Sequence, residues 1–214
     1  MTTHAYSELY LDDAMNILGE AVEFAVCDLG FEPDEFFNFF ISSGVASNFE
    51  NGNPKFVAGM SGSELVNAIL CSVGKKRTEQ KPSASLDKGK EYWSGWILAY
   101  YQWQTKRRFR DMVENGLTLS RVMSMYILHE ADVTKFTEEA NSIISHNKEN
   151  NKTNLYKIRS ARDLTQQQLS IASGVSLRMI QLYEQKQNDI SKAQAGVVVA
   201  LAKALGCEAE ELIG

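Results

Sequence analysis

The sequence contains few of the residues that disulfide frameworks, zinc sites and membrane spans require. Its three cysteines, Cys27, Cys71 and Cys207, are far apart in the chain, and no two have the C-x-x-C spacing. This pattern indicates free thiols in a reducing compartment. Every apolar run is shorter than the roughly 18 residues that a transmembrane helix needs. The polar, acidic start of the chain does not resemble a secretory signal. We therefore expect a cytoplasmic protein that does not bind membranes.

Motifs for catalysis are equally scarce. The three histidines are scattered along the chain, the segment GMSG at 59–62 does not match the G-x-S-x-G turn of serine hydrolases, and we find no glycine-rich phosphate loop. His129, Glu130 and Asp132 lie close together in the sequence, but a polar helix end accounts for them better than a metal site does. The expectation is a protein without enzymatic activity, cofactor or bound metal.

Alternation of apolar and polar residues, which is typical of β-strands, is almost absent, whereas apolar residues at helical spacing occur throughout. The sequence therefore predicts an all-α fold. Gly30 should end the first helix, Ser61 and Glu64 have the spacing of a capping box, and Asp132 can cap a later helix. The helices expected in this part of the chain cover 7–29, 34–49, 62–71, 91–115, 118–130 and 132–146, with exposed loops at 51–55 and 74–90.

The composition changes near residue 150. Residues 1–150 hold 19 of the 21 aromatic residues and are acidic, with 21 Asp and Glu against 14 Lys and Arg. Residues 151–206 hold eight basic and three acidic side chains. Between the two parts lies the hydrophilic run SHNKENNKTN at 145–154. We predict an acidic, aromatic-rich helical domain at 1–146, a polar linker at 147–153, and a basic domain at 154–214 that is suited to contact nucleic acid.

In the basic domain, two short amphipathic helices flank a glycine in the segment LTQQQLSIASGVSLRMIQLYEQ, residues 164–185. Thr165 and Gln168 have the spacing of a capping box, Gly174 suits a left-handed turn, and Ser176 can cap the second helix. The residues spaced to face inward are Leu169, Ala172, Val175, Ile180 and Tyr183. One helix precedes this pair and two follow it. Five helices in about 60 residues, with a tight helix–glycine–helix at their centre, predict a helix-turn-helix arrangement.

The text IRSARDLTQQQLSIASGVSLRMIQLYEQKQNDI, followed by ALAKALGCEAEELI, resembles the helix-turn-helix domains of the Cro and phage-repressor (XRE-like) family. The resemblance covers about 60 residues of the chain. It implies a five-helix DNA-binding domain in which the helix that starts at Leu177 is the recognition helix. It also implies that Arg159 and Glu184 pair inside the fold and have a structural role.

The resemblance assigns DNA contacts residue by residue. Gln166, at the start of the first helix of the pair, would contact a phosphate. On the recognition helix, Arg178 suits guanine and Gln181 suits adenine. Lys186 and Asn188 would lie near the DNA backbone. The full predicted DNA-binding set is Thr165, Gln166, Ser176, Leu177, Arg178, Gln181, Leu182, Lys186 and Asn188.

The acidic domain carries three further features without an assigned role. The aromatic helix 91–103 could serve the core, a partner or both. The cluster KRRFR at 106–110 could bind phosphate or an acidic partner, or form a solvated helix face. The segment 75–90 is basic and looks like an exposed loop. The layout as a whole is similar to that of some antitoxins, in which a helix-turn-helix regulates the operon and a separate domain binds the toxin.

These observations predict a sequence-specific repressor that binds double-stranded DNA as a homodimer. The acidic domain could bind a toxin, which would make the chain the antitoxin and autoregulator of a toxin–antitoxin pair. The alternatives are a regulator that senses a small ligand and a protein-interaction module that does not bind DNA. A stable complex with a protein partner would favour the antitoxin, and a pocket with converging polar groups would favour the sensor.

Overall fold

The computed structural model describes residues 4–83, 88–150 and 152–213. Within these ranges the regular secondary structure consists of 14 α-helices with a few 3-10 and π-helical turns, and it includes no strand. The predicted all-α class is confirmed. The chain divides into two compact units between Ser145 and His146. We refer to them as the N-terminal unit and the C-terminal unit.

The N-terminal unit begins with a 3-10 turn, Glu8–Tyr10, that leads into α1, Leu11–Glu23, and a π-helical turn at Phe24–Asp28. Gly30 follows with φ of 71° and ends this first helical segment, as predicted. The remaining helices are α2 (Pro33–Ser42), α3 (Val45–Glu50), α4 (Pro54–Val57), α5 (Gly62–Ser72), α6 (Lys90–Thr105), α7 (Phe109–Glu114), α8 (Leu119–Ser124), a 3-10 helix (Tyr126–Glu130) and α9 (Val133–Asn150), within which the division between the units falls.

Helix α1 packs against both α5 and α6 in the core of this unit. The helices approach closely because glycines lie at the contacts. A Cβ atom on Gly95 of α6 would overlap the backbone carbonyl of Leu18, and one on Gly62 at the start of α5 would overlap the backbone of Ala21. The predicted capping box of Ser61 and Glu64 is present at the first turn of α5. Local capping and close packing together fix α5 against α1.

Several predicted helices are interrupted. The predicted helix 91–115 is two helices, because Lys106 adopts a left-handed conformation with φ of 56° and Arg108 is extended. This turn brings Phe109 into the core, where its ring lies 5.2 Å from that of Phe40 and 5.6 Å from that of Phe37. The predicted helix 34–49 breaks at Gly44, with φ of 77°. The predicted helix 118–130 becomes α8 and a 3-10 helix.

The predicted loops are only partly irregular. Residues 75–83 have no regular structure and are largely exposed, but α6 already begins at Lys90, and residues 84–87 lie outside the described ranges. Hydrogen bonds hold this loop against the end of the first helical segment and against α5. Gln80 Nε2 donates to the carbonyl oxygen of Asp28 at 2.9 Å, and Thr78 N donates to Asn67 Oδ1 at 2.8 Å. The predicted loop 51–55 contains the start of the short helix α4.

The C-terminal unit contains α10 (Asn154–Ala161), α11 (Gln166–Ser173), α12 (Leu177–Glu184), a 3-10 turn (Ile190–Lys192), α13 (Ala195–Leu205) and α14 (Ala209–Ile213). Its small core is formed by aliphatic side chains such as Leu155, Leu169, Ile180, Leu201 and Leu205.

Helix α9 continues through residues 147–150, which the sequence predicted as linker. This stretch contains neither proline nor glycine to end a helix. Residue 151 of that linker lies outside the described ranges.

None of the helices in the described ranges has both the length and the apolar character needed to cross a lipid bilayer.

Candidate nucleic-acid interface

Hydrogen bonds cap the starts of both α11 and α12, and a left-handed glycine begins the three-residue connection between them. Thr165 Oγ1 accepts from the backbone N of Gln168 at 3.1 Å, and Gln168 Oε1 accepts from the backbone N of Thr165 at 2.8 Å. Gly174 ends α11 in a left-handed conformation with φ of 71°. Ser176 Oγ accepts from the backbone N of Met179 at the start of α12. The capping box, the glycine turn and the Ser176 cap were all predicted and are confirmed.

The inner face of this helix pair largely follows the prediction. Leu169, Val175, Ile180 and Tyr183 are buried. Ala172 was predicted to face inward and is exposed. The next residue, Ser173, is half-buried at the end of α11. Its hydroxyl donates to the carbonyl oxygen of Leu169 at 2.7 Å and accepts from the backbone N of Val175 at 3.2 Å. The Ser173 hydroxyl thus provides hydrogen bonds to two backbone groups at the turn between α11 and α12.

The outer face of α12 carries the side chains that the sequence predicted for base contacts. Arg178 is exposed on the first turn and the half-buried Gln181 lies one turn further on, so that the two project from one side of the helix. Arg178 forms no ion pair with any residue in the described ranges. Of the rest of the predicted set, Thr165, Ser176, Lys186 and Asn188 are exposed, and Gln166, Leu177 and Leu182 are half-buried.

Gln166 has a role that the sequence did not reveal. Its Nε2 donates to Glu184 Oε2 at 2.7 Å. The same carboxylate accepts from Arg159 Nε at 2.6 Å and from Arg159 Nη2 at 2.9 Å. The pairing of Arg159 with Glu184 is therefore confirmed, and the hydrogen bond to Glu184 raises the pKa of the Arg159 guanidinium. One carboxylate on α12 thus holds a side chain from α10 and one from the start of α11.

A group of lysines lies beside the carboxyl end of α12. Lys186 follows α12 in a left-handed conformation with φ of 56°. Lys186 and Asn188 line an open cavity of about 460 Å³ together with Lys152 and Lys157. Lys152 is paired with Glu149 at 2.6 Å. The predicted backbone-contacting residues therefore share one surface with two lysines that the sequence analysis had not singled out.

In the N-terminal unit, the aromatic helix α6 contributes both to the core and to an open groove. Tyr101 and Trp103 are buried, whereas Trp93 and Trp96 are half-buried in a groove of about 310 Å³. Trp93 packs edge-on against Tyr126, with ring centroids 5.8 Å apart. His129, for which the sequence favoured a polar helix end over a metal site, lies in this groove and stacks on the Tyr126 ring. Asp132 caps α9, as predicted, since it accepts from the backbone N of Thr134.

Comparisons of the chain with models of protein families, with curated proteins and with solved structures find no match. The function of the chain is therefore inferred from its own residues.

Proposed function

We propose that this chain is a sequence-specific DNA-binding transcriptional regulator and acts as a repressor in the cytoplasm. In this proposal the C-terminal unit is a helix-turn-helix domain of the Cro and phage-repressor (XRE-like) type, and α12 is its recognition helix. The observation that carries the proposal is the pairing of α11 with α12 across Gly174, with Arg178 and Gln181 on the outer side of α12. The major groove of B-DNA is wide enough to admit such a helix.

The side chains on the outer face of α12 are chemically suited to contact DNA bases in the major groove. Arg178 can form two hydrogen bonds with the O6 and N7 atoms of guanine, and Gln181 can do the same with the N6 and N7 atoms of adenine. Thr165, Ser176, Lys186, Asn188 and the backbone N–H groups at the start of α11 are suited to phosphates. The excess of basic residues in 151–206 favours this contact, whereas the rest of the chain is acidic.

We propose that the DNA-bound form is a homodimer. A single domain of this size buries a small interface with DNA, so two copies on two half-sites are needed for high affinity. The C-terminal unit exposes Ile171, Val199 and Ile213, which could take part in such an association. The half-sites should lie about 10 bp apart or a multiple of that spacing. Sedimentation of the protein with its duplex tests this, and a monomer bound to one asymmetric site would contradict it.

The decisive experiment selects duplexes from a random library with the full-length chain. Fluorescence anisotropy then compares a selected duplex with a scrambled one. We expect the selected duplex to bind at least about 10³-fold more tightly. The double variant R178A/Q181A should lose most of this preference, because each base contact contributes about 1–3 kcal/mol. The affinity itself should fall steeply with salt as counterions are released from the phosphates.

The matched control is Lys203→Ala, which removes the positive charge of an exposed side chain on α13 and should leave the preference intact. If no duplex is enriched, the C-terminal unit is not a DNA reader and the protein-interaction alternative replaces the proposal. If the R178A/Q181A variant keeps its preference, these two residues do not lie on the reading surface.

We propose in addition that the N-terminal unit binds a protein partner, as an antitoxin binds its toxin. The groove that contains Trp93 and Trp96 supports this, as does the nearby Ile127, which is 73% exposed. Co-expression with the product of the neighbouring gene tests it. We expect a stable complex that Trp96→Ala disrupts and that Tyr100→Ala, a change on α6 outside the groove, preserves. A neighbour that is harmless to the host when expressed alone would contradict the antitoxin role.

A further inference from the structure

A second cavity of the N-terminal unit, of about 390 Å³, lies where α3, α6 and the chain before α7 meet. Three cationic side chains line it, Lys106, Arg108 and Arg110, together with one carboxylate, Glu50. The sequence analysis had left the cluster KRRFR open between a solvated helix face and an anion site. Because the helix breaks at Lys106, the side chains of Lys106, Arg108 and Arg110 line this cavity.

The two arginines have firmly held backbones. Arg108 and Arg110 flank Phe109, whose side chain is fully buried. The backbone N of Phe109 donates to Glu50 Oε1 at 2.6 Å. Both arginine side chains are exposed and form no ion pair with a residue in the described ranges. They are therefore available to an anion, and little backbone motion is needed to place them.

The buried amide of Gln102 indicates that a ligand of this cavity should also carry a hydrogen-bond donor. The residue is 1% exposed and lines the same cavity. Its Nε2 donates to the carbonyl oxygen of Glu50 at 3.4 Å, while its Oε1 has no hydrogen-bond partner among the described residues. A buried amide oxygen without a donor is unfavourable. A ligand that brings an N–H or O–H group to this oxygen would remove that cost.

We propose that this cavity binds a small organic anion that also carries an amino or hydroxyl group. Its phosphate or carboxylate would pair with Arg108 and Arg110, and its donor would reach Gln102 Oε1 and Glu50. The cavity volume is in the range of metabolite sites. A long polyanion fits less well, because it offers no donor to Gln102 Oε1 or to the Glu50 carboxylate. This binding does not depend on the proposed DNA function.

Isothermal titration of the full-length chain tests the proposal with three probes: 2-aminoethyl phosphate, inorganic phosphate and ethanolamine. We expect 2-aminoethyl phosphate to bind about tenfold more tightly than phosphate, the effect of one added hydrogen bond to a buried acceptor. Ethanolamine alone should give no measurable binding. If neither phosphate-bearing probe binds, the proposal is wrong. Equal affinity for both of them would overturn the assignment of Gln102 as the donor's partner.

Two variants separate the parts of the site. The double variant R108A/R110A should weaken both phosphate-bearing probes at least about tenfold. Gln102→Leu should lower the affinity for 2-aminoethyl phosphate to that for inorganic phosphate. The control R77A/R121A removes two exposed charges elsewhere in the same unit and should change neither affinity. Unchanged binding in R108A/R110A overturns the proposal. Loss of duplex DNA binding in R108A/R110A, with no small anion bound by the unaltered chain, would identify a nucleic-acid contact instead.

Discussion

Arg159 and Glu184 form a two-point ion pair that joins α10 to α12, with Nε to Oε1 at 2.6 Å and Nη2 to Oε2 at 2.9 Å. The two side chains are only 10% and 3% exposed. The third guanidinium nitrogen, Nη1, donates to the carbonyl oxygen of Leu164 just before α11. Arg159 therefore connects α10 both to α12 and to the turn that precedes α11.

Removal of one partner should destabilise this unit strongly. We expect Glu184→Ala to lower the free energy of unfolding by about 3–5 kcal/mol, because the Arg159 charge is left buried without its counterpart. Hydrogen exchange measured by mass spectrometry on peptides from α10–α14 reports this value. The control is Glu149→Ala, which breaks an exposed pair with Lys152 and should cost less than about 1 kcal/mol. Equal effects of the two substitutions would show that the buried pair adds no stability.

The turn between α11 and α12 should depend on the backbone freedom of Gly174. At this position φ is 71° and a Cβ atom would meet nothing within 4 Å, so that Gly174→Ala adds backbone strain without a clash. We expect a loss of about 1–2 kcal/mol in the C-terminal unit, and a smaller loss for Gly174→Asn. The control Gly196→Ala, in helical backbone with open space, should be neutral or stabilising. Thermal unfolding of the three variants would rank them, and a neutral Gly174→Ala would contradict the argument.

The contact between α1 and α6 should tolerate no side chain at Gly95. A Cβ there would overlap the backbone at Leu18, which cannot move aside as the end of a flexible side chain can. We expect Gly95→Ala to cost at least about 1–3 kcal/mol in the N-terminal unit. Gly30→Ala meets no atom within 4 Å and should show only the backbone cost of positive φ, about 1–2 kcal/mol. Urea unfolding followed by near-ultraviolet circular dichroism measures both, and a neutral Gly95→Ala would contradict the packing.

The stability of the N-terminal unit should carry a pH dependence from Glu50. Burial raises the pKa of its carboxyl group, and the Phe109 N–H and the Arg108 charge oppose this only in part. The folded state therefore holds the proton more tightly than the unfolded chain does. The stabilising contribution of protonated Glu50 is fully present below the unfolded pKa of about 4.3. It is lost as the pH rises through the higher pKa of Glu50 in the folded state.

Glu50→Gln removes this titration. Relative to the unaltered chain, we expect the variant to gain stability as the pH is raised from about 4 to about 7, as measured by urea unfolding. Glu64→Gln should show the opposite trend, because hydrogen bonds from Ser61 lower the pKa of Glu64. The contribution of Glu64 is present above its unfolded pKa and is lost as the pH falls. A flat difference between Glu50→Gln and the unaltered chain across this range would contradict the assignment.

Local chemistry made the helix ends of the candidate interface predictable. The capping box of Thr165 and Gln168, the left-handed Gly174 and the cap at Ser176 each involve residues within three or four positions of one another. Such signals are readable in the sequence because the donors and acceptors that they satisfy belong to the same turn. The same reason explains why the capping box at Ser61 was found in the N-terminal unit.

Other features depended on distant parts of the chain. The periodicity of 91–115 predicted one helix, but the burial of Phe109 among Phe37, Phe40 and Phe49 favours a turn at Lys106. The hydrogen bond from Gln166 to Glu184 spans 18 positions and has no signature in the spacing of residues. Neither could be read from a local pattern.

The sequence by itself determined the all-α class, the change in composition near residue 150 and the capped helix pair around Gly174, since these depend on periodicity, charge and interactions within a turn. The tertiary structure decided where Arg108, Arg110 and Gln102 meet around one cavity and how Glu184 holds Gln166 and Arg159. Those arrangements depend on which distant residues are buried against one another. That choice is made by the packing of the whole core and by no single segment of the chain.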